Sequence, residues 1–453
     1  LLSCLDISLD LDSDACRDFL LTGNLTKFDR RQTAFSSVRQ FDHGTLSKVS
    51  TRGLESSRKW SFPDSDPAVG RLKPNEVTTV FREILGKAVG ERIRDRRVVF
   101  MLSGGLDSTS ALAAGASVSG LSGAECVTAM TAVSGTSDPE GILARQVADR
   151  LSVSHVQHHN TKGKPFENWT SGPFPSCNFY GAHISNLRRQ ASLGDFSLNA
   201  CSADYVLSPE YQTLGSILRS NDVLAAFRQV SSLWWHYRYI PPVGGRFAKR
   251  RSVAKLQSSR AKPDRFDASP EWLLHAAPGM RVETRHHFPE GNDWIARNHP
   301  NRPHALRRIL RKDRLAMRGP LWPQDFQPVR FSDPFLDERL VRFLWSLPAL
   351  PWFHQKHILR VAMKRTLPKT ILRRPKTPAR SWKDPSVSVF FRNWTPTPDL
   401  AQFVDLRRLP REFTNRTPIR DFYPLFFDLW LRESKEVIGD MRKCAKKTIN
   451  SVI

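Results

Sequence analysis

The sequence predicts an α/β protein built on a doubly wound parallel sheet, because short apolar runs alternate with amphipathic helical patterns. The runs 98–102, 126–132 and 153–158 have the length and composition of buried strands, and helical patterns precede and separate them. This alternation is typical of parallel sheets, in which ligands bind outside the carboxyl ends of the strands. We therefore expect the functional site where these runs end.

The run 98–102 ends in the sequence Ser-Gly-Gly-Leu-Asp-Ser at 103–108, and a helical pattern follows at once. Adjacent glycines allow backbone amides to approach an anion, and the hydroxyls of Thr109 and of two serines add donors at a helix N-terminus. Asp107 would be repelled from such a site unless it held a cation, so we predict that it binds Mg²⁺. The residues predicted to bind the phosphates of a nucleotide are Ser103, Gly104, Gly105, Asp107 and Ser108.

An ordinary strand-to-helix turn is the simpler interpretation of any Gly-Ser loop, but this sequence is more specific. It resembles the pyrophosphate loop of the ATP pyrophosphatases, which cleave ATP to AMP and pyrophosphate while adenylating a substrate. It differs from a Walker-type loop, because no Gly-Lys-Ser/Thr follows.

The order of motifs along the chain is similar to that of the asparagine synthetase family. After the loop come Ser-Asp-Pro-Glu at 137–140, Asp-Pro-Phe-Leu-Asp at 333–337, and the segments 356–363 and 367–376. The resemblance implies an adenine nucleotide alpha hydrolase-like synthetase domain that uses ATP and Mg²⁺. It implies a carbon–nitrogen ligase of the glutamine-hydrolysing asparagine synthase type, which adenylates aspartate or a related carboxylate and then forms an amide with ammonia or another amine.

The resemblance also assigns roles to single residues. Leu102 and Met130 match positions that line the adenosine pocket, although plain core packing explains them equally well. Lys376 matches the lysine that contacts the phosphates and serves the adenylation step, and its cationic character suits charge developing on pyrophosphate. A solvated basic surface beside Arg373 and Arg374 is the alternative for this lysine.

The second family loop, Gly-Glu-Gly-Ala-Asp-Glu, corresponds to residues 200–205 here. Asp204 stands at the position that binds the metal together with Asp107, unless it is an ordinary surface-loop residue. Cys201 and Tyr205 replace the two glutamates. Because the first of these takes part in asparagine synthesis, its loss puts that particular reaction in doubt.

Other functions compete with an asparagine synthetase-type ligase. Lasso-peptide macrolactam synthetases have a relaxed second loop and would act on a precursor peptide that supplies its own amine. A non-catalytic nucleotide- or peptide-binding protein fits the altered loop at 200–205. An adenylating tRNA-modifying enzyme fits the positive charge but not the motif order, which argues against a nucleic-acid partner.

We predict three parts: a glutaminase-like tail over 1–66, the synthetase domain over 67–395, and a helical C-terminal extension over 396–453. The first part is predicted to hold a helix at 15–21 and strands at 35–41 and 45–49. A family glutaminase needs an N-terminal cysteine. Since Leu1 stands first and Cys4 is internal, we expect no glutamine hydrolysis by the chain as given.

The composition indicates acidic partners, since 69 Lys plus Arg against 44 Asp plus Glu give a formal net charge of +25. Basic residues concentrate at 246–265 and 297–318, where a solvated surface is the first interpretation and a clamp for an acidic peptide or RNA the second. Six cysteines without Cys-x-x-Cys spacing indicate reduced thiols. With no membrane-length apolar run, we expect a cytoplasmic protein.

Overall fold

The computed structural model describes the chain in segments. They are residues 10–23, 33–39, 41, 45–58, 65–119, 126–159, 181–209, 223–237, 240, 270–274, 302, 329–375, 394–410, 419–432 and 434.

Helices and strands alternate over the middle of the chain, as the sequence predicts. The helices are α1 (Ser13–Thr22), α2 (Pro74–Ile93), α3 (Leu106–Ser119), α4 (Pro139–Arg150), α5 (Gly181–Leu193), α6 (Ala203–Val206), α7 (Val223–Tyr237), α8 (Glu338–Ser346), α9 (His357–Ala362), α10 (Lys369–Arg373) and α11 (423–432). The strands are β1 (Thr45–Ser50), β2 (Gly53–Arg58), β3 (Val98–Met101), β4 (Val127–Val133), β5 (Ser154–His159), β6 (Phe196–Leu198) and β7 (Arg330–Ser332).

Five strands form one parallel sheet in the order β5-β4-β3-β6-β7. The central strand β3 pairs with β4 on one side, where Phe100 lies opposite Ala129, and with β6 on the other, where Phe100 lies opposite Leu198. The predicted parallel sheet and its first three strands are confirmed. The short strands β6 and β7 were not predicted, because three residues are too few to give a periodic pattern.

The main hydrophobic core surrounds β3, whose residues Val98, Val99 and Phe100 are all fully buried. Helices cover both faces of a parallel sheet, so its central strand is apolar without alternation. Helix α2 packs on this core through Phe81, Leu85 and neighbouring apolar residues. The core therefore fixes β3 and the loop that leaves its carboxyl end.

A second hydrophobic cluster joins the two ends of the chain. Helix α1 begins at the capping carboxylate of Asp12 and ends at Gly23, whose φ is 72°. Phe19 of α1 packs against Phe427 of α11, with ring centroids 6.0 Å apart, and Phe35 packs against Trp430 at 5.7 Å. The predicted helix at 15–21 and a helix of the predicted C-terminal extension are thus partners in one cluster.

The expected strand over 35–41 is wrong for the residues described there. Phe35 forms an isolated bridge with Leu11, the chain then turns at 36–37, and Arg39 takes part in a separate bridge, so these residues form no continuous strand. The Thr33 hydroxyl accepts from Phe35 N and donates to Val38 O, at 3.1 Å and 2.8 Å, which closes the turn locally. The predicted strand at 45–49 is β1, paired with β2 in an antiparallel hairpin.

The helices of the described segments include none that is long and apolar enough to cross a membrane.

Candidate active site

The site lies where the sheet order changes direction. From β3 the chain continues outward through β4 and β5 on one side and later returns to β6 on the other. In sheets of this topology a ligand crevice is expected outside the carboxyl ends of the two strands on either side of this point, here β3 and β6. Asp107 follows β3, and Asp204 follows β6.

The loop 103–108 is shaped by its own hydrogen bonds. Ser103 N donates to the Ser108 hydroxyl at 3.0 Å, and Gly105 N donates to the Ser103 hydroxyl at 3.2 Å. Gly104 approaches its neighbours so closely that a Cβ there would lie 2.7 Å from Arg374 Nη1 and 2.8 Å from Leu143 Cβ. Glycine is therefore required at 104 by space.

The hydroxyls of this loop do not all face the crevice. Thr109 is fully buried, and its hydroxyl donates to Gly105 O at 2.7 Å. The expectation that Thr109 adds a donor to the anion site is therefore wrong: it braces the first turn of α3. Ser103 is exposed, whereas Ser108 is mostly buried and supports the loop through Ser103.

A buried polar relay supports the end of β3. The Thr131 hydroxyl donates to Leu102 O at 2.7 Å and lies 2.9 Å from His155 Nε2. Because the Thr131 hydroxyl donates its only hydrogen to Leu102 O, it can only accept from His155. His155 is therefore the donor in that pair and carries its hydrogen on Nε2. Burial lowers the pKa of His155, which favours this neutral form.

Leu102 and Met130, predicted to line the adenosine pocket, lie side by side, Leu102 directly after β3 and Met130 in the middle of the neighbouring strand β4. Leu102 N donates to Met130 O at 2.9 Å, and both side chains are buried. That burial is compatible with core packing and with an adenosine pocket, so their role stays a prediction.

The two predicted metal ligands meet at one ammonium group. Lys356 Nζ donates to Asp107 Oδ2 and, at 2.7 Å, to Asp204 Oδ1. These three residues come from α3, α6 and the turn before α9, and the Lys356 side chain is 17% exposed. The structure thus brings both carboxylates within reach of a single cation, which here is the lysine ammonium, and their binding of a metal stays a prediction.

An uncommon backbone conformation presents Lys356 to the carboxylates. Gln355 and Lys356 have φ values of 47° and 56°, in the left-handed region. Each non-glycine residue held there costs of order 1 kcal/mol, and such strain clusters at functional sites. Two such residues in a row, directly before α9, are consistent with selection for the lysine's position.

Asp333 anchors the segment that carries Asp204. Its carboxylate accepts from Ser202 N at 2.7 Å and from Phe335 N at 2.9 Å. Burial raises the pKa of Asp333, while these backbone bonds act in the opposite direction. The matched Asp-Pro-Phe-Leu-Asp motif therefore connects β7 to the second loop.

Cys201 is the residue that the resemblance places at the first glutamate of the second family loop. Desolvation of its thiol, together with the nearby carboxylates Asp333, Asp204 and Asp107, raises the pKa of Cys201. At neutral pH it is a thiol rather than a thiolate, so it cannot supply the negative charge of a glutamate.

Asp107 and Asp204 fit Mg²⁺, which takes one or two carboxylates and completes its ligands with water and substrate phosphates. Within the described segments no cluster of three or more His, Cys, Asp and Glu side chains could hold a metal ion. A metal here would therefore depend on the phosphates of a bound nucleotide.

Several residues singled out in the sequence lie outside the part of the chain that the structure describes. Lys376 lies outside the described residues, as do the basic segments 246–265 and 297–318 apart from Arg302. In turn, the structure adds Lys356, Glu140 and Arg374 to the site. All three lie inside segments that resemble the family, namely 137–140, 356–363 and 367–376. In the sequence, however, a single charged residue there cannot be told from a solvated surface residue.

A comparison with protein families gives a match to this chain. A family model described as asparagine synthase matches residues 80–170 and 302–425. The first segment contains the loop and Glu140, the second contains Lys356 and Arg374, and Asp204 lies between them. A search of curated proteins gives no match to the chain.

Proposed function

We propose that this chain, which carries an asparagine synthase domain over residues 80–170 and 302–425, is an ATP-dependent ligase that joins a carboxylate to an amine. The observation that supports this most strongly is the convergence of Asp107, Asp204 and Lys356 beside the loop 103–108. The phosphates of a nucleoside triphosphate need anion-binding amides, carboxylates that can hold a cation, and an ammonium around them.

The first chemical step is adenylation. An oxygen of the substrate carboxylate attacks the α-phosphorus of ATP, the bond from that phosphorus to the β-phosphate oxygen breaks, and pyrophosphate leaves with the electron pair. The loop amides and Lys356 stabilise the charge on the leaving group. Mg²⁺, when held by Asp107 and Asp204 with phosphate oxygens, would neutralise part of the same charge.

The second step forms the amide. The nitrogen of an amine attacks the acyl carbon, the bond from that carbon to the AMP oxygen breaks, and the nitrogen gives up one proton to solvent. Correct placement of the two reactants supplies much of the rate enhancement in reactions of this kind. Lys376, by resemblance, would assist the adenylation step, and Leu102 and Met130 would line the adenosine pocket.

The acceptor is aspartate or a related carboxylate with ammonia as the amine, or a peptide that carries its own amine. Cys201 favours the second candidate, a macrolactam synthetase of the lasso-peptide type, because its protonated thiol lacks the charge of the glutamate that asparagine synthesis uses. The product distinguishes them: cyclisation removes one water from a peptide, whereas an intermolecular reaction adds the amine to it.

The test is exchange of labelled pyrophosphate into ATP with Mg²⁺, across a panel of aspartate, related acids and precursor-type peptides. We expect exchange that depends on one substrate class and is lost in Asp107→Asn. Asp149→Asn, which changes an exposed carboxylate on α4, is the matched control and should exchange like wild type. Binding of ATP without exchange for any substrate would contradict the ligase and favour a non-catalytic nucleotide-binding protein.

A further inference from the structure

A carboxylate of the protein already occupies the anion loop. Gly104 N donates to Glu140 Oε2 at 2.9 Å. Glu140 lies in the first turn of α4, directly after the capping residue Asp138 and Pro139. A backbone amide in a Gly-rich loop is the donor expected to bind a phosphate oxygen. Glu140 therefore uses the hydrogen bond that a bound nucleotide would need.

Arg374 closes a ring around the same peptide group. Its Nη1 donates to Gly104 O at 2.7 Å, and its Nη2 forms an ion pair with Glu140 Oε1. The Arg374 side chain is 16% exposed and that of Glu140 is 32% exposed. The guanidinium thus lies against the loop, with the carboxylate paired both to it and to the Gly104 amide.

We propose that Glu140 is a built-in competitor of pyrophosphate and that Arg374 is a pyrophosphate-binding residue, an inference that rests on the proposed function. A phosphate oxygen and a carboxylate oxygen cannot share the Gly104 amide, because both are anionic acceptors. When the phosphates arrive, Glu140 leaves the amide and Arg374 exchanges its carboxylate partner for a phosphate. A guanidinium suits this exchange because its planar fork binds either anion in the same way.

Competition would assist turnover. Pyrophosphate released by adenylation must leave the loop before the next ATP binds. A tethered carboxylate that returns to Gly104 N lowers the affinity for the product, while Arg374 keeps the site attractive to a more highly charged ligand. The Lys356 ammonium has the corresponding role at the two carboxylates, because it occupies the position between Asp107 and Asp204 that a bound cation would take.

The competing explanation is that Glu140 and Arg374 only hold the loop in shape. The two explanations predict opposite changes in the affinity for pyrophosphate when Glu140 is neutralised. If Glu140 and Arg374 only support the loop, loss of either weakens pyrophosphate binding. If Glu140 competes, its neutralisation strengthens binding, whereas neutralisation of Arg374 weakens it. Glu140→Gln is the suitable change, because glutamine keeps the size and an acceptor oxygen for Gly104 N while removing the charge.

The experiment is calorimetric titration of the full chain with inorganic pyrophosphate at fixed Mg²⁺. We expect Glu140→Gln to bind pyrophosphate about fivefold more tightly than wild type and Arg374→Gln about tenfold more weakly, with Arg374→Lys between Arg374→Gln and wild type. Glu83→Gln, at an exposed position of α2, is the control. Thermal melting of each variant verifies that it is folded.

The outcomes separate this inference from the proposed function. Equal or weaker binding by Glu140→Gln, in a protein that exchanges pyrophosphate into ATP, overturns the competition and leaves the ligase standing. The expected order of affinities without any exchange keeps the competition at an anion site and overturns the ligase. A wild-type chain that does not bind pyrophosphate overturns both.

Discussion

The candidate active site has an anion side, formed by the backbone of the loop 103–108, and a cation side, formed by the charged side chains of Lys356, Asp107 and Asp204. On the anion side, short-range hydrogen bonds from the backbone amides of Ser103 and Gly105 to serine hydroxyls fix the shape of the loop 103–108. On the cation side, Lys356 pairs with Asp107 and Asp204, from which it is separated by 249 and 152 residues. Backbone amides survive any side-chain substitution, whereas an ion-pair network does not. We therefore expect the cation side to be the more sensitive to mutation.

The largest effect is expected for Asp107→Asn. This change removes one of the two carboxylates and leaves Lys356 with a single anionic partner, without altering the size of the side chain. We expect pyrophosphate exchange to fall about 10²–10³-fold with the substrate that supports it in wild type. Exchange rates within threefold of wild type would show that the cation side is dispensable, and would contradict the expectation that this side is the more sensitive to mutation.

Lys356→Met should follow, with a loss of about 10²-fold in exchange. Methionine keeps the apolar stem but removes the ammonium that faces the carboxylates. Since two nearby carboxylates then repel each other, we also expect added Mg²⁺ to raise the melting temperature of Lys356→Met more than that of wild type. Lys364→Met, at an exposed position, should behave as wild type in both measurements.

On the anion side, Ser108→Ala should cost far less. The hydroxyl of Ser108 accepts from Ser103 N, so its loss weakens the loop by about 1 kcal/mol while the amides stay in place. We expect about a threefold to tenfold increase in the Kd for pyrophosphate, measured by calorimetry. A loss as large as that of Asp107→Asn would reverse the ranking of the two sides.

The smallest effect concerns the relay behind the loop. Burial holds the pKa of His155 below its ordinary value of 6.5. The unfolded chain therefore binds the proton more readily, so the contribution of His155 to stability is present above pH 6.5 and is lost as the pH falls through the lowered pKa. His155→Gln should narrow the difference in melting temperature between pH 8 and pH 5 by about 1–2 °C. An unchanged difference would contradict the neutral Nε2–H form.

The sequence predicts the local features of this protein well. The strand 98–102 and the helix that follows the loop 103–108 depend on neighbouring residues, and the structure confirms both. The resemblance to the asparagine synthetase family also implies that Asp107 and Asp204 lie at one site, and in the structure both carboxylates contact Lys356.

Other features depend on distant contacts. Lys356 reaches the carboxylates through two left-handed residues, and no pattern in 354–356 predicts that turn. The strands β6 and β7 are too short to show periodicity. The expected strand at 35–41 fails because the Thr33 hydroxyl satisfies backbone groups that a strand would have left for a neighbour.

The most direct test of the cation side is a double-mutant cycle of Lys356→Met and Asp204→Asn, with the Kd for ATP at fixed Mg²⁺ as the readout. Asp204 lies outside both segments that match the family, so its place in the site depends on its 2.7 Å contact with Lys356. If the two residues act at one nucleotide site, their free energies of substitution should differ from additivity by about 1 kcal/mol or more. Additivity within about 0.5 kcal/mol would contradict a shared site.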